Sequence, residues 1–491
     1  MLLTKRTMLK GMALIVLLVS LTGFHPQPVL AETEMNIEPA VIDRFIQSEM
    51  EKTGIPGLAV AIVRKDWSVY IKGFGQTGDG LPVTTETPFA IASLSKSITA
   101  LAVMQLAEAG KISLDASVTK YIPSFRTADP RGADITVRRL LQQTSGLTDR
   151  ALPEMALSRR PDTLEEAIAR FQAVKLASDP GRAYHYHNPN YQILARLVEA
   201  VSGELFGDYL QKHIFQPLQM KNTFDVANTN QFYEQDGHFP NGHIFVYGKP
   251  VAVKEPAWFI EGAAGNVSTI EDMASWLKLN LNGGMAQGVR PLSAEGIRTM
   301  HSPAGPDKSY AMGWRWNERG RQIEHNGILW TYYADQVLLP ESGYGIAVLF
   351  NSGLNALTDY SVFTRGLTDI LNGKEPEGSF LSKKAMEIMI GLLTAVTLFF
   401  GIRSLVRLQS WENKTRRRPK WVTALLLVPA LIPSILFACL PQILTFVGGG
   451  RVLGWERIFL MMPSMFIGLM LYALVCLIIV LGRMIRLIRM R

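Results

Sequence analysis

Apolar positions along the chain change character several times. A basic start leads into an unbroken apolar run from Gly11 to Phe24. Gly57–Arg64 (GLAVAIVR) and Ser68–Gly75 are short β-rich runs separated by a polar turn, which predicts a hairpin. Between Ser97 and Ala109 the apolar residues fall at Ile98, Leu101, Ala102, Met104, Leu106 and Ala107, and Gly110 follows. That spacing predicts a largely buried helix with a glycine stop. From about 136 to 300 the pattern is mostly helical, broken by Pro and Gly loops. Strand-like runs return at Arg321–Glu324, Tyr333–Leu339 and Gly345–Phe350. Strands at both ends with helices between them predict an α+β domain, one antiparallel sheet of distant segments flanked by helices, with a helical lobe beside it.

After Lys383 and Lys384 the pattern turns to long apolar segments, at about Ala385–Ile402, Trp421–Val447 and Ile458–Leu481. Each can cross a hydrocarbon core of roughly 30 Å at about 1.5 Å per residue, although the first is short and contains Glu387. Charge placement decides the count. Residues 403–420 hold seven Lys/Arg and residues 482–491 hold four Arg, against only Arg451 and Arg457 in the 448–457 connection. With the folded domain outside, three spans put both basic clusters in the cytoplasm, as the positive-inside rule requires; two spans would leave all eleven charges on the wrong side.

The formal net charge of +8 resides at the ends of the chain: residues 1–31 carry +3 and residues 383–491 carry +12, which leaves −7 for residues 32–382. The middle therefore has no electrostatic footprint for nucleic acid. The apolar run and Val29-Leu30-Ala31 before Glu32 make residues 1–31 read as a secretory signal peptide, with an uncleaved membrane anchor as the alternative; either exports the middle domain. Residues 32–382 are then an extracytoplasmic domain, and residues 383–491 a membrane domain with a cytoplasmic C-terminus. The only cysteines, Cys439 and Cys476, lie in the second and third apolar segments, so the exported domain has no disulfide, thiol nucleophile or Cys-based metal site.

Ser93-Leu94-Ser95-Lys96 opens the buried helix, and a spacing of three puts hydroxyl and ammonium on one helical face. A serine hydroxyl is a poor nucleophile until a neighbour takes its proton, which a partly desolvated lysine can do. About one such match is expected by chance in a chain this long. A second occurs at Ser275-Trp276-Leu277-Lys278, without a preceding strand, and reads as a solvated helix face. Order and company set Ser93 apart: Tyr186-His187-Asn188 and then His325-Asn326-Gly327 follow.

Ser-x-x-Lys, Tyr-x-Asn and a Lys- or His-x-Gly triad in this order resemble the serine β-lactamase and penicillin-binding protein family. The resemblance is strongest to the branch of class C β-lactamases, D-alanyl-D-alanine carboxypeptidases, D-aminopeptidases and related esterases. It extends over about residues 40–370 and includes Phe89 through Ser93, Leu114-Asp115, Tyr121-Ile122-Pro123, Leu140 through Leu147 and Gly265 through Thr269. It implies Ser93 as the acylated nucleophile, Lys96 as its activator, Tyr186 as proton shuttle and Asn188 as donor to the substrate. His325 and Gly327 would contact substrate along the edge strand, and the backbone N–H groups of Ser93 and Ile328 would form the oxyanion hole. A tyrosinate flanked by an ammonium is a plausible general base near neutral pH.

Three departures bear on specificity. His325 stands where most β-lactamases have lysine, so the cation for a substrate carboxylate is expected mainly below about pH 6.5, which favours a peptidase or esterase over an efficient β-lactamase. His187 replaces a small residue and is expected to narrow the pocket. Gln143 stands where the family often has histidine and reads as structural. Although His185 and His187 alternate and His238 and His243 follow, no H-x-x-x-H helix is present, and no metal or other cofactor is expected. The leading reading is a membrane-anchored serine hydrolase cleaving an amide or ester, its substrate a small molecule or a cell-wall-type peptide. A penicillin-binding sensor, a non-catalytic binding module and a transporter are the alternatives. They are disfavoured respectively by the short cytoplasmic segments, by the chemically competent motif side chains, and by spans without internal charges.

Overall fold

A computed structural model of the chain describes residues 38–490, apart from 66, 157–158, 235–238, 318–320, 380–381 and 449–451. The signal-peptide reading of residues 1–31, and His238, lie outside the described residues. The strands are β1 (Gly57–Arg64), β2 (Trp67–Gly75), β3 (Phe89–Ala90), β4 (Phe224–Asp225), β5 (Gly242–Val246), β6 (Lys249–Val253), β7 (Asn266–Ser268), β8 (Arg315–Asn317), β9 (Gln322–Ile328), β10 (Tyr333–Leu339) and β11 (Tyr344–Phe350). Six of them form one antiparallel sheet in the order β2-β1-β11-β10-β9-β8. The chain's first and last strands thus meet at its centre, as expected.

Both faces of the sheet are covered. Helices α1 (Pro39–Thr53) and α5 (Ser361–Leu371) lie on one side, where Phe350 meets Phe363 at 5.2 Å between ring centroids. Helix α4 (Ile270–Leu281) lies on the other, against β1 and β11. Double coverage explains why β10 and β11 are buried at every residue instead of alternating. Each large aliphatic side chain so buried contributes about 1.5–3 kcal/mol. Helix α2 (Ser95–Glu108) runs through the core and packs against α3 (Pro189–Ser202) of the helical lobe. It begins two residues earlier than its apolar spacing indicates, after a 3-10 turn over Ala92–Leu94.

Two expectations are corrected. The segment from 136 to 300 contains a β5–β6 hairpin, closed by Tyr247-Gly248 with both φ values positive (49° and 82°), as a two-residue type I′ turn requires. The second Ser-x-x-Lys is no solvated face, because α4 lies under the sheet with Ser275 and Trp276 buried.

Beyond α5, three helical stretches are long and apolar enough to cross a membrane: α6 (Lys383–Val406), residues Lys420–Ala438, and α8 (Pro463–Arg489). Only 11% of each apolar window is buried in the protein, which is compatible with membrane association. The second stretch is shorter than expected and ends at Ala438. Pro429 and Pro433 each remove a backbone donor within it, and Pro441 does so at the start of the separate short helix that follows. Between the second and third stretches, helix α7 (Trp455–Met461) returns to the sheet domain.

Candidate active site

The site starts from a strained turn. Strand β3 pairs with β7, and the chain is then held by Ile91 N–H donating to Asn266 O at 3.0 Å. Ala92 adopts φ +48°, a left-handed conformation costing a non-glycine residue about 1–2 kcal/mol. Ser93 follows, partly exposed, on the 3-10 turn that leads into α2. A Cβ on Gly327 of β9 would come within 2.1 Å of Ile91 O and 3.0 Å of Ser93 N. Gly327 therefore lets the strand lie against the nucleophile turn itself, a closer constraint than the passage of substrate.

Lys96 is fully buried, and its three ammonium protons each have an acceptor: Ser93 Oγ at 2.9 Å, Asn188 Oδ1 at 2.8 Å and Ala263 O at 2.9 Å. Its Nζ also lies 4.9 Å from the centre of the Tyr186 ring, within cation–π range. One helical turn thus brings Ser93 and Lys96 together, and the chain returns 92 residues later to add Asn188. The amide of Asn188 is held at both ends. Its Nδ2 donates one of its two protons to Glu154 Oε1 at 2.7 Å, which fixes the amide and leaves the second proton for a substrate. Glu154 opens a short 3-10 helix (Glu154–Ala156) with no motif around it, and the sequence offered no sign of its proximity.

Ser93, Tyr186, Asn188, Arg315, His325 and Asn326 form the polar side of a cavity of about 180 Å³ open to solvent, and Met155, Trp258, Ala264 and Ile328 form its apolar side. Strand β8 pairs with β9 only at Gln322–Glu324, so His325–Ile328 present an open edge. Leu329 N–H bonds to Tyr332 O at 2.9 Å; the alternation of an antiparallel ladder then turns Ile328 N–H away from β10 toward that edge. The geometry suits an N–H pair, from Ser93 and Ile328, aimed at one oxyanion.

The expected imidazolium is absent. His325 is 2% exposed, and burial, together with the charges of Lys96 and Arg315, pushes its pKa down to about 3. Its Nδ1–H donates to Asn326 O at 2.8 Å, which leaves Nε2 as an acceptor without a partner among the described residues. The permanent cation on the cavity wall is Arg315, missed from the sequence. Its Nη2 donates to the Tyr184 hydroxyl at 2.7 Å, and the guanidinium lies 5.3 Å from the Tyr310 ring centre. Its arrival through the short strand β8, outside every motif, left no local signal.

His187 does not narrow the pocket. Its ring is buried on the far side of the loop, with Nδ1 2.7 Å from Asp149 Oδ1 and an edge contact to Phe171. Gln143, in the left-handed region at φ +59°, accepts through Oε1 from His187 N–H at 3.0 Å and through its carbonyl from His185 N–H at 2.8 Å. It shapes the Tyr186 loop without entering the cavity. His243 lies on β5, bonded to Asn351 O, and no three His, Cys, Asp or Glu side chains gather around one point among the described residues.

A mixed sheet-and-helix domain with a serine and a lysine joined under a strained turn defines the class of β-lactamase and penicillin-binding folds. The chain matches the beta-lactamase family over residues 42–360 and belongs to it. It is 28% identical to Protein flp of Staphylococcus aureus (strain MW2) over 383 residues, covering 76% of this chain and 75% of that protein. It is 27% identical to Penicillin-binding protein 4 of Amycolatopsis lactamdurans over 338 residues, 66% of this chain and 88% of that one. The octameric penicillin-binding protein homologue from Pyrococcus abyssi superimposes with a TM-score of 0.59 at 27% identity, covering 69% of this chain and 78% of the other.

Proposed function

We propose that the chain is a membrane-anchored serine hydrolase that acts outside the cytoplasm through an acyl-enzyme on Ser93, with an amide or ester as substrate. The observation that carries this is the 2.9 Å contact of Lys96 Nζ with Ser93 Oγ on the wall of an open cavity. Lys96 lowers the cost of deprotonating Ser93, and Tyr186, whose hydroxyl makes no hydrogen bond within the protein among the described residues, is the proton carrier to the leaving group. The N–H groups of Ser93 and Ile328 receive the developing oxyanion. Water then releases the acyl group along the reverse path.

Arg315 supports a substrate that carries a carboxylate beside the scissile bond, a role that neutral His325 cannot fill. Topology has independent support. Helix α7 packs against the sheet domain, which supports an even number of crossings between residues 382 and 455, two there and a third after it. Profiling the full chain in detergent against β-lactams, D-alanyl peptides and short esters tests the reading. Turnover of one class, lost in Ser93→Ala, is expected; no turnover and no covalent adduct with any of them would overturn it.

A further inference from the structure

Helix α7 lies between two of the apolar helical stretches, yet three of its side chains are buried against the active-site domain. Arg457 is 5% exposed, Ile458 fully buried and Leu460 8% exposed. Leu460 forms an apolar cluster with Ile244 and Trp330, on which Phe459, Met461 and Met155 also pack. Met155 lines the Ser93 cavity.

Arg457 is the centre of this contact. Its Nη2 donates to Ala257 O at 3.1 Å, directly before Trp258, another residue of the cavity's apolar wall. Its guanidinium lies 5.2 Å from the Trp330 ring centre. Trp330 begins the β9–β10 turn two residues after Ile328, and the Glu255 carboxylate fixes that turn. It accepts from Trp330 N–H at 3.2 Å, Thr331 N–H at 2.8 Å and the Thr331 hydroxyl at 2.7 Å. Burial pushes the Glu255 carboxyl up to about 7, and the nearby Arg457 guanidinium opposes that rise. One guanidinium thus spans the 255–258 loop and the turn whose upstream arm carries the Ile328 N–H.

We propose that the connection between the second and third membrane segments is the outer support of the active site, with Arg457 as a positioning residue that holds the Trp258 loop and the β9–β10 turn and so sets the rate at which Ser93 is acylated. This rests on the serine-hydrolase reading. Arg457 touches no reacting atom. It acts by keeping Ile328 N–H where the oxyanion forms, and misplacement of about 1 Å at such a group costs up to about 100-fold in rate.

The test uses the full chain in lipid nanodiscs, with the second-order rate of Ser93 labelling by a fluorophosphonate and the steady-state constants for a neutral short-chain ester. Arg457→Ala should slow labelling by roughly 10- to 100-fold and lower kcat with little change in KM. Arg457→Lys, which keeps a donor and a charge, should recover much of the rate, and Arg457→Gln should not. If Arg457→Ala does not fold, the contrast between the Lys and Gln variants decides in its place. Wild-type labelling rates in every Arg457 variant that folds would overturn the inference, as would a fall in the fraction of chain labelled at an unchanged rate, the sign of a merely structural role. Labelling of Ser93 in the unsubstituted chain keeps either failure distinct from failure of the serine-hydrolase reading.

Discussion

A buried ammonium with three acceptors has no spare proton and no spare acceptor, and that makes Lys96 the most constrained charge in the site. Lys96→Ala should slow acylation by about 10²- to 10⁴-fold, the usual contribution of a positioned acid or base. The same change strands Asn188 Oδ1 and Ala263 O, at about 1–3 kcal/mol for each unsatisfied buried group, so thermal denaturation should show the loss as well. Arg315 calls for a different readout. Arg315→Ala should weaken kcat/KM for substrates bearing a carboxylate by about 1–3 kcal/mol, the range of a charged hydrogen bond, while a neutral ester changes little; equal losses for both would remove Arg315 from substrate recognition. His325 reverses what its place in the motif suggests. Its pKa of about 3 leaves it neutral between pH 5.5 and 8, so carboxylate and neutral substrates should show parallel pH profiles there. The sign for stability follows. The unfolded chain takes up a proton near pH 6.5 that the folded chain refuses until about pH 3, so this contribution is present above 6.5 and disappears as pH falls through that window. It amounts to about 2 kcal/mol by pH 5, and His325→Gln should flatten the acid limb of a stability profile by that much.

At the scale of elements, the site depends on how closely β9 approaches the nucleophile turn. Gly327→Ala should cost several-fold more activity than a comparable change elsewhere on the strand, because its Cβ would sit 2.1 Å from Ile91 O and only backbone movement can relieve that. A labelling assay on Gly327→Ala set beside Ile323→Val separates the two. The local patterns of the chain made much of this legible. The β1 hairpin strand, the apolar run of α2 and the order of Ser93, Tyr186 and His325 could all be read because each is a short contiguous signal. What could not be read arises from distant pairing. Double coverage of the sheet buries Ser275 on α4, although its local spacing equals that of Ser93. The orientation of His187 away from the cavity depends on Asp149, 38 residues away. Arg315 and Glu154 enter the site from segments with no chemical motif. The β5–β6 hairpin is the exception, since the β-branched and aromatic runs Ile244–Val246 and Val251–Val253 around Tyr247-Gly248 did carry a signal that the helical pattern nearby obscured.

For the whole molecule, the membrane segments and the sheet domain form a continuous structure. Tyr247 N–H on the β5–β6 turn donates to Ser464 Oγ at 2.7 Å, at the start of α8, and Ser464 also bonds to Glu387 of α6. The hairpin therefore rests on the mouths of the first and third spans. On the proposed topology the basic clusters at 403–420 and 482–491 would lie in the cytoplasm. A reporter fused after Arg491 should behave as cytoplasmic, and an impermeant thiol reagent should reach a cysteine placed at Gly454 from outside. An external C-terminus would contradict three crossings.

The most direct measurement of the central claim is the site of covalent modification. After reaction of the full chain with a fluorophosphonate or a fluorescent penicillin, peptide mass mapping should find one adduct per chain, on Ser93. It should be absent in Ser93→Ala and unchanged in Ser275→Ala. Equal modification of the Ser93→Ala chain, or an adduct on another residue, would contradict the account.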